Sequence, residues 1–282
     1  MAAVMGPGSG FGVPGAKRTR RWLLAVVAGW VVVLAGVSWW SVRNDPATVP
    51  EQRDVGQAMA PLRKAAGTLL AAAESGPWVI RLGAPHVETC WLTPVRDGRR
   101  AGQDVFLYVP QGRAEAALDQ VAAALPGDYR AGVVPTKAGT RLALYADAGD
   151  FIAVEAHAEP ADQVLTLSAD TGCRPPGATT AATGPAAGPA PATLTETVVA
   201  LGGTAAAEVS VESAGCPEGG VAATYRATAG ASGDRPVGVP AGTTVVWSSA
   251  GGWAYRKGSE SVVVDANGER LQVAVTTACR VS

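Results

Sequence analysis

The sequence predicts an α+β protein in which an N-terminal single transmembrane helix precedes two small tandem modules, each an antiparallel sheet with one or two packed helices. Three observations carry this reading. An uncharged 21-residue run, WLLAVVAGWVVVLAGVSWWSV, occupies residues 22–42. Downstream of it, short stretches that alternate apolar and polar residues recur between turn-forming residues, as half-buried strands do. A segment rich in Pro, Ala and Gly, 175–192, then splits that strand-bearing region in two.

At 1.5 Å rise per residue, a helix over 22–42 spans about 30 Å, the thickness of the hydrocarbon layer. Lys17, Arg18, Arg20 and Arg21 precede the run, while only Arg43, offset by Asp45, follows closely. The positive-inside rule therefore makes residues 1–21 a cytoplasmic basic tail and places everything after the span outside the cell membrane. Trp22, Trp39 and Trp40 sit at its two ends, where indole rings favour the interface. The run is longer than a signal-peptide core and no small-x-small cleavage site follows before Asn44, so a retained signal anchor is expected. The Gly-rich first sixteen residues are too short to fold, so no cytoplasmic domain is expected.

Beyond Arg43, 18 Lys and Arg stand against 24 Asp and Glu, which disfavours nucleic acid or any other polyanion as a partner. Arg outnumbers Lys 19 to 4, with two Asn and two Ile, a bias that suggests a GC-rich bacterial genome. Cys90, Cys173, Cys216 and Cys279 all fall in the exterior region, where disulfides persist. Their wide spacing and the presence of only two histidines argue against a zinc site, and no metal or organic cofactor is expected.

After a juxtamembrane segment, 43–53, module A is assigned to 54–174. It opens with a helix over 54–75, whose apolar face is Val55, Met59, Leu62, Ala66, Leu69 and Ala73. Pro61 interrupts it and marks a candidate first turn. Packing of this helix on the module's own sheet is favoured over a short coiled coil. A second helix, 113–125, stops at Pro126-Gly127. Strands are expected at WVIRL (78), VETCWL (87), DVFLYV (104), YRAGVV (129), TRLALY (140), FIAVEAH (151) and VLTLSAD (164).

The segment 175–192 reads as a spacer, because it offers nothing large to bury. Module B, 193–282, begins with a capping-box pattern, Thr193 and Glu196, before a short helix ending at Gly202-Gly203. Strands follow at AEVSVE (207), VAATYRA (221), TTVVWS (243), SVVVDA (261) and RLQVAVTTAC (270). Asn267-Gly268 signals a hairpin that would pair Val264 with Leu271 and Val262 with Val273.

The two modules end alike. LTLSADTGCR from Leu165 aligns without gaps on LQVAVTTACR from Leu271, and DFIAVEA from Asp150 aligns on ESVVVDA from Glu260. A duplicated module is the better reading of these matches. Four cysteines permit three pairings, and the repeat selects among them: Cys90 with Cys173 and Cys216 with Cys279, each terminal cysteine pointing into its own core. Independent modules are the corollary.

The search for chemistry finds little. His86 and His157 read as surface residues, and no G-x-S-x-G elbow accompanies them. Glu155 with Asp150, and Glu208 with Glu212, could in principle do acid/base work on glycans, although solvated strand edges are the far commoner origin of such pairs. Arg96, Arg99 and Arg100 surround Asp97-Gly98 in an expected turn and are candidates for contact with lipid headgroups or a wall polymer. Trp253 and Tyr255 are candidates for an exposed aromatic pair, with core packing as the alternative, while Trp247 shares parity with Val245 and is expected in the core. The reading that follows is a non-enzymatic, membrane-anchored protein of the bacterial cell envelope that binds another envelope protein or a wall polymer. A membrane-anchored hydrolase acting on wall glycan or peptide is the alternative.

Overall fold

The computed structural model describes residues 16–44, 53–177, 184–203, 208–230, 243–266 and 270–279. The chain divides into two compact units between Thr48 and Val49. The first contains helix α1, Ala16–Asn44. Its window Arg21–Ser41 is long and apolar enough to cross a membrane, and none of it is buried by protein. An exposed helix that is apolar all round has its burial supplied by lipid.

The second unit holds everything else. Helix α2, Val55–Ala73, starts at Asp54, whose carboxylate accepts from the Gln57 amide at 2.9 Å. Pro61 lies inside this helix rather than at its first turn. Strands β1 (Val79–Leu82), β2 (His86–Thr93) and β3 (Arg96–Tyr108) follow. Helix α3, Ala114–Ala124, leads into β4 (Gly132–Thr136), β5 (Arg141–Asp147), β6 (Ala153–Ala158) and β7 (Val164–Asp170). Helix α4, Ala192–Ala200, precedes β8 (Glu208–Gly215), β9 (Val221–Gly230), β10 (Thr244–Ser249), β11 (Gly252–Lys257), β12 (Glu260–Asp265) and β13 (Arg270–Thr276).

Two antiparallel sheets result. The first runs β1-β3-β7-β6-β5-β4, with β2 paired to β3 alongside, and the second runs β10-β11-β12-β13-β9-β8. With β2 set aside the two orders coincide strand for strand, β1 with β8, β3 with β9, β7 with β13, β6 with β12, β5 with β11 and β4 with β10. The correspondence extends to single hydrogen bonds. Past the end of β7, Thr171 exchanges bonds with Ala101, giving its amide to the carbonyl and accepting the Ala101 amide on Oγ1, both at 3.0 Å. Past the end of β13, Thr277 makes the same pair with Ala223, both at 2.9 Å. The likeness legible in the terminal strands therefore extends to the strand order of the two sheets. A counterpart of α3 would fall between β9 and β10, at 231–242, outside the described residues.

Both disulfides join the expected partners, Cys90 with Cys173 and Cys216 with Cys279. Their placement differs from expectation. Cys173 and Cys279 lie beyond the ends of β7 and β13, so strand parity does not aim them. Cys216 and Cys279 pack against the core beneath α2, which belongs to the other half of the unit.

The two halves are not independent. The apolar face of α2 packs on β3 and β7 and on α3, and Ala214 and Ala222 from the second sheet join the same core. Gly67 on α2 faces the Gly215 carbonyl so closely that a Cβ there would lie 3.0 Å from the carbonyl carbon and nearer still to its oxygen. On its other side, β1 lies against the second sheet, where Val79 and Tyr108 share a core with Ala254, Val263 and Ala274. The Ile80 amide donates to Ser261 Oγ at 3.1 Å and the Leu82 amide to Thr224 Oγ1 at 2.9 Å. Arg256 Nη1 donates to the Trp78 carbonyl at 3.3 Å, and the Cys279 amide donates to Glu74 Oε1 at 2.6 Å.

Several local expectations are corrected by this packing. The helix α4 starts a residue early, at Ala192 behind Pro191, so Thr193 is buried inside it and makes no capping bond, while Glu196 pairs with Lys257. Its end is as expected: the Gly203 amide donates to the Val198 carbonyl and the Gly202 amide to that of Val199, a Schellman closure with Gly202 at φ 71°. Asn267-Gly268 lies outside the described residues, but β12 and β13 pair Val264 with Val273 and Val262 with Val275, two residues out of the expected register and on the same face. The flanks of the expected spacer are docked. The Pro175 carbonyl accepts from the Val55 amide, Ser213 donates to the Pro185 carbonyl, and Tyr225 donates to the Gly188 carbonyl.

Because the halves share their cores, one cooperative unfolding transition is expected from calorimetry of the detergent-solubilised chain. Replacing Cys216 and Cys279 with Ser should lower that whole transition, by roughly 4 kcal/mol in the chain-entropy account of a loop this long. Two transitions, one of them unchanged in the variant, would show separate modules instead.

Candidate binding groove

At one end of the first sheet the chain makes a turn that ordinary side chains avoid. Between β5 and β6, Gly149, Asp150 and Phe151 all have positive φ, at 78°, 50° and 58°. Left-handed backbone strains a residue that carries a Cβ, most of all a bulky one such as Phe. Local bonds hold the turn. The Gly149 amide donates to Asp147 Oδ1 at 2.9 Å, the Ala148 amide to the Ile152 carbonyl and the Ile152 amide back to the Gly149 carbonyl.

The decisive support comes from Arg174, expected to lie at the start of the spacer but in fact 2% exposed. Its backbone pairs with Arg99 in both directions, and its guanidinium reaches beneath the turn. Nε donates to the Thr171 carbonyl at 2.9 Å, and Nη2 donates to the carbonyls of Asp150 at 2.7 Å and Phe151 at 3.2 Å. A buried guanidinium is tolerated only where its donors are satisfied, and these carbonyls contribute to that. The consequence is that Phe151 is held outward, 56% exposed.

A groove of about 480 Å³ opens beside this turn, with Phe151, Asp147, Glu155, Arg100, Asp170 and Arg174 among the residues that line it. Arg100 Nε donates to Asp170 Oδ2 at 2.5 Å, and that bond is the main reason its guanidinium holds its proton more firmly than usual. Asp170 also accepts from the Gly172 amide. Asp147 faces Arg130 at 3.4 Å across the rim. Arg100 and Arg174 line the groove with Asp147, Glu155 and Asp170, and Arg130 pairs with Asp147, so charges of both signs nearly cancel there. Such a surface suits a ligand that carries polar groups of both signs and an apolar contact for Phe151.

Of the residues singled out in the sequence, only Arg100 and Glu155 line this groove, together with Cys173. Arg96, Arg99 and Arg100 are exposed, but Asp97-Gly98 is not a turn: β3 begins at Arg96, and the hairpin tip is Pro94-Val95. Gly98 is needed where it stands, since a Cβ there would come within 2.5 Å of Cys173 Sγ and 2.9 Å of the Arg174 carbonyl. Trp253 and Tyr255 do not form an exposed pair. They lie on β11, a strand missed in the sequence, where Tyr255 is 1% exposed, hydrogen-bonded through its hydroxyl to Thr197, and Trp253 packs partly buried on the same core. A register shift between Val245 and Trp247 breaks their parity, leaving Val245 exposed and setting Trp247 against Tyr108 at 5.3 Å. His157 meets Tyr145 edge-on at 5.8 Å, His86 lies over Gly102, and neither histidine lines the groove. Asp150 pairs with Arg53 at 3.6 Å. Burial raises the Glu212 carboxyl above its usual range, with Arg226 acting in the other direction.

A second, smaller cavity of about 290 Å³ lies between the sheets, where Arg81 and Arg226 approach Tyr108, Asp265 and Gln272. Burial, then the charge of Arg81, lowers the Arg226 guanidinium from its usual value. No spacing in the sequence could have joined these residues, because they come from opposite halves.

No protein-family model and no curated protein matches the chain. Among solved structures, it is similar to the crystal structure of a DUF4853 family protein from Actinomyces odontolyticus, at 15% identity and a TM-score of 0.33, over 61% of this chain and 91% of that one. A likeness that distant carries no functional argument.

Replacing Arg174 with Ala should remove the support of the turn and leave buried carbonyls without a donor, destabilising the fold by about 3 kcal/mol. Phe151→Gly should instead raise stability by about 0.5–1 kcal/mol, because Gly adopts positive φ without strain. Urea unfolding of the solubilised chain measures both, and a loss of stability in Phe151→Gly would show that the aromatic ring, not the turn, is what the fold retains.

Proposed function

We propose that the chain is a single-pass, non-enzymatic binding protein of the bacterial cell envelope, anchored through residues 22–42 with its N-terminus in the cytoplasm and residues 44–282 outside. The groove beside Phe151 is the observation that carries the binding role. It is rigid by construction, since Arg174, the Cys90–Cys173 disulfide and the Thr171–Ala101 bond pair converge on its floor and walls. Preorganisation of this kind favours recognition over movement. Charges of both signs beside an exposed aromatic side chain favour a protein segment over a uniformly anionic wall polymer. Two disulfides and an apolar helix preceded by basic residues support the orientation. The hydrolase alternative would require acid/base groups facing a shared substrate, and the groove carboxylates Asp147 and Glu155 are the only candidates within it that Arg100 does not bind directly.

Protease added to intact spheroplasts should remove the region after Val42 while an N-terminal tag stays protected. A protected C-terminal region, or a soluble form starting near Asn44, would overturn the topology. Asp147→Lys together with Glu155→Lys should abolish recovery of a crosslinked partner in intact cells, whereas Asp147→Asn with Glu155→Gln should reduce it in part. Wall-degrading activity that the neutral pair destroys would favour the hydrolase.

A further inference from the structure

The same end of the second unit that carries the groove also receives the chain from the anchor. Asp54 caps α2 there, the Val55 amide donates to the Pro175 carbonyl, and Arg53 pairs with Asp150 of the strained turn. Only residues 45–52 lie between the last residue of α1, Asn44, and Arg53. Eight residues reach at most about 30 Å even when fully extended. Covalent length alone therefore keeps Arg53 within about 30 Å of the end of α1.

What this end exposes is unusual for a protein surface. The β2–β3 hairpin projects past the rest of its sheet, since β2 pairs with β3 alone and its last pairs, Trp91 with Asp97 and Thr93 with Arg96, have no further strand beside them. Its tip carries Trp91, 70% exposed, and Val95, 92% exposed. Phe151 stands out from the neighbouring turn, at a cost in backbone strain that packing does not explain, because the ring is exposed. Arg96 and Arg99 are exposed on the same hairpin. Large apolar side chains accompanied by arginines, and left uncovered by the described residues, match the chemistry of a membrane interface: indole and phenyl rings settle at headgroup depth and guanidinium groups engage phosphates.

We propose that the hairpin tip and the Phe151 turn form a lipid-docking end, through which the folded unit rests on the membrane that its own anchor occupies. Tethering makes this contact effective even where it is weak, because the surface is held at high local concentration. Resting on lipid would also fix which way the groove faces. The inference rests on the retained anchor of the proposed function, whose own test reads protease protection and is blind to lipid contact.

The test uses the full chain reconstituted in vesicles of phosphatidylglycerol and phosphatidylcholine, with photoreactive p-benzoylphenylalanine replacing Val95 or, as the control, Val164. Val164 is exposed and pairs with Tyr108 at the opposite end of β7, about 20 Å from Asp170 at the rise of a strand. Lipid adducts at position 95 should exceed those at 164 several-fold. Adding Trp91→Ser and Phe151→Gly, both at exposed positions, should lower the adduct yield at 95 several-fold while both disulfides remain mapped as Cys90–Cys173 and Cys216–Cys279. Equal yields at 95 and 164, an unchanged yield in the double variant, or capture of a protein in place of lipid at 95 in intact cells would each overturn the proposal.

Discussion

The amides of Ile80 and Leu82 point away from the sheet to which β1 belongs, and what they meet there decides how the rest of the unit is assembled. An edge strand normally presents such groups to water or to another chain. Here Ser261 Oγ and Thr224 Oγ1 accept them, and the acceptors stand on the face of the second sheet rather than on its edge. Thr224 is itself hydrogen-bonded to Thr276 at 2.7 Å, which holds its hydroxyl in place for β1. The edge of one sheet is thus closed by side chains of the other, without continuing the ladder. A buried amide left without its acceptor costs about 1–3 kcal/mol, so the two halves cannot separate without exposing β1 and the core beside it together.

That closure explains why two halves of matching strand order do not form two independent domains. Each half repeats the same six-strand order, yet the first half adds β2 and α3, and the described part of the second has only α4. α4 covers one face of the second sheet through Leu194, Val198 and Leu201. The opposite face, with Ala254, Val263 and Ala274, would be exposed if β1 were not against it. Gly67 and Gly215 serve the same end from the other side, letting α2 approach β8 closely enough to share a core. Sequence similarity between the halves was visible because the terminal strands keep their alternation. Their docking was not, because it depends on single hydroxyls and glycines whose partners lie more than a hundred residues away.

The same distinction separates what was legible from what was not at the groove. Strand alternation correctly set Glu155 and His157 on the face opposite Val154, and the repeat correctly paired the cysteines. The turn chemistry was misread where local signals competed with pairing: Asp97-Gly98 has the composition of a turn, but Gly98 is there to admit Cys173 and Arg174. Arg174 itself resembled the first residue of a solvated spacer, because nothing in its neighbours announces the carbonyls of Asp150 and Phe151, 24 and 23 residues upstream. Tyr255 was ambiguous for a related reason. Its flanking glycines and charges are those of a loop, whereas its burial follows from β11 lying between β10 and β12, with burial in turn raising its phenol above the usual value.

Strain and burial around the Phe151 turn point in one direction. Arg174 spends a guanidinium in the interior to hold two carbonyls of a turn, and that turn presents an aromatic side chain to the outside beside Asp150. A fold that needed the turn merely as a connection would place Gly or Asn at position 151, where positive φ comes without strain. Phe in that position loses stability and contributes nothing to the core, so its retention fits a contact made with something other than this fold. The disulfide from Cys90 to Cys173 fits the same argument, since it fixes the hairpin that carries Trp91 and Val95 to the segment that carries Arg174. Two projecting apolar elements, built from distant parts of the chain, are thereby held at a constant separation, which a surface contact requires and an isolated two-stranded arm would not provide.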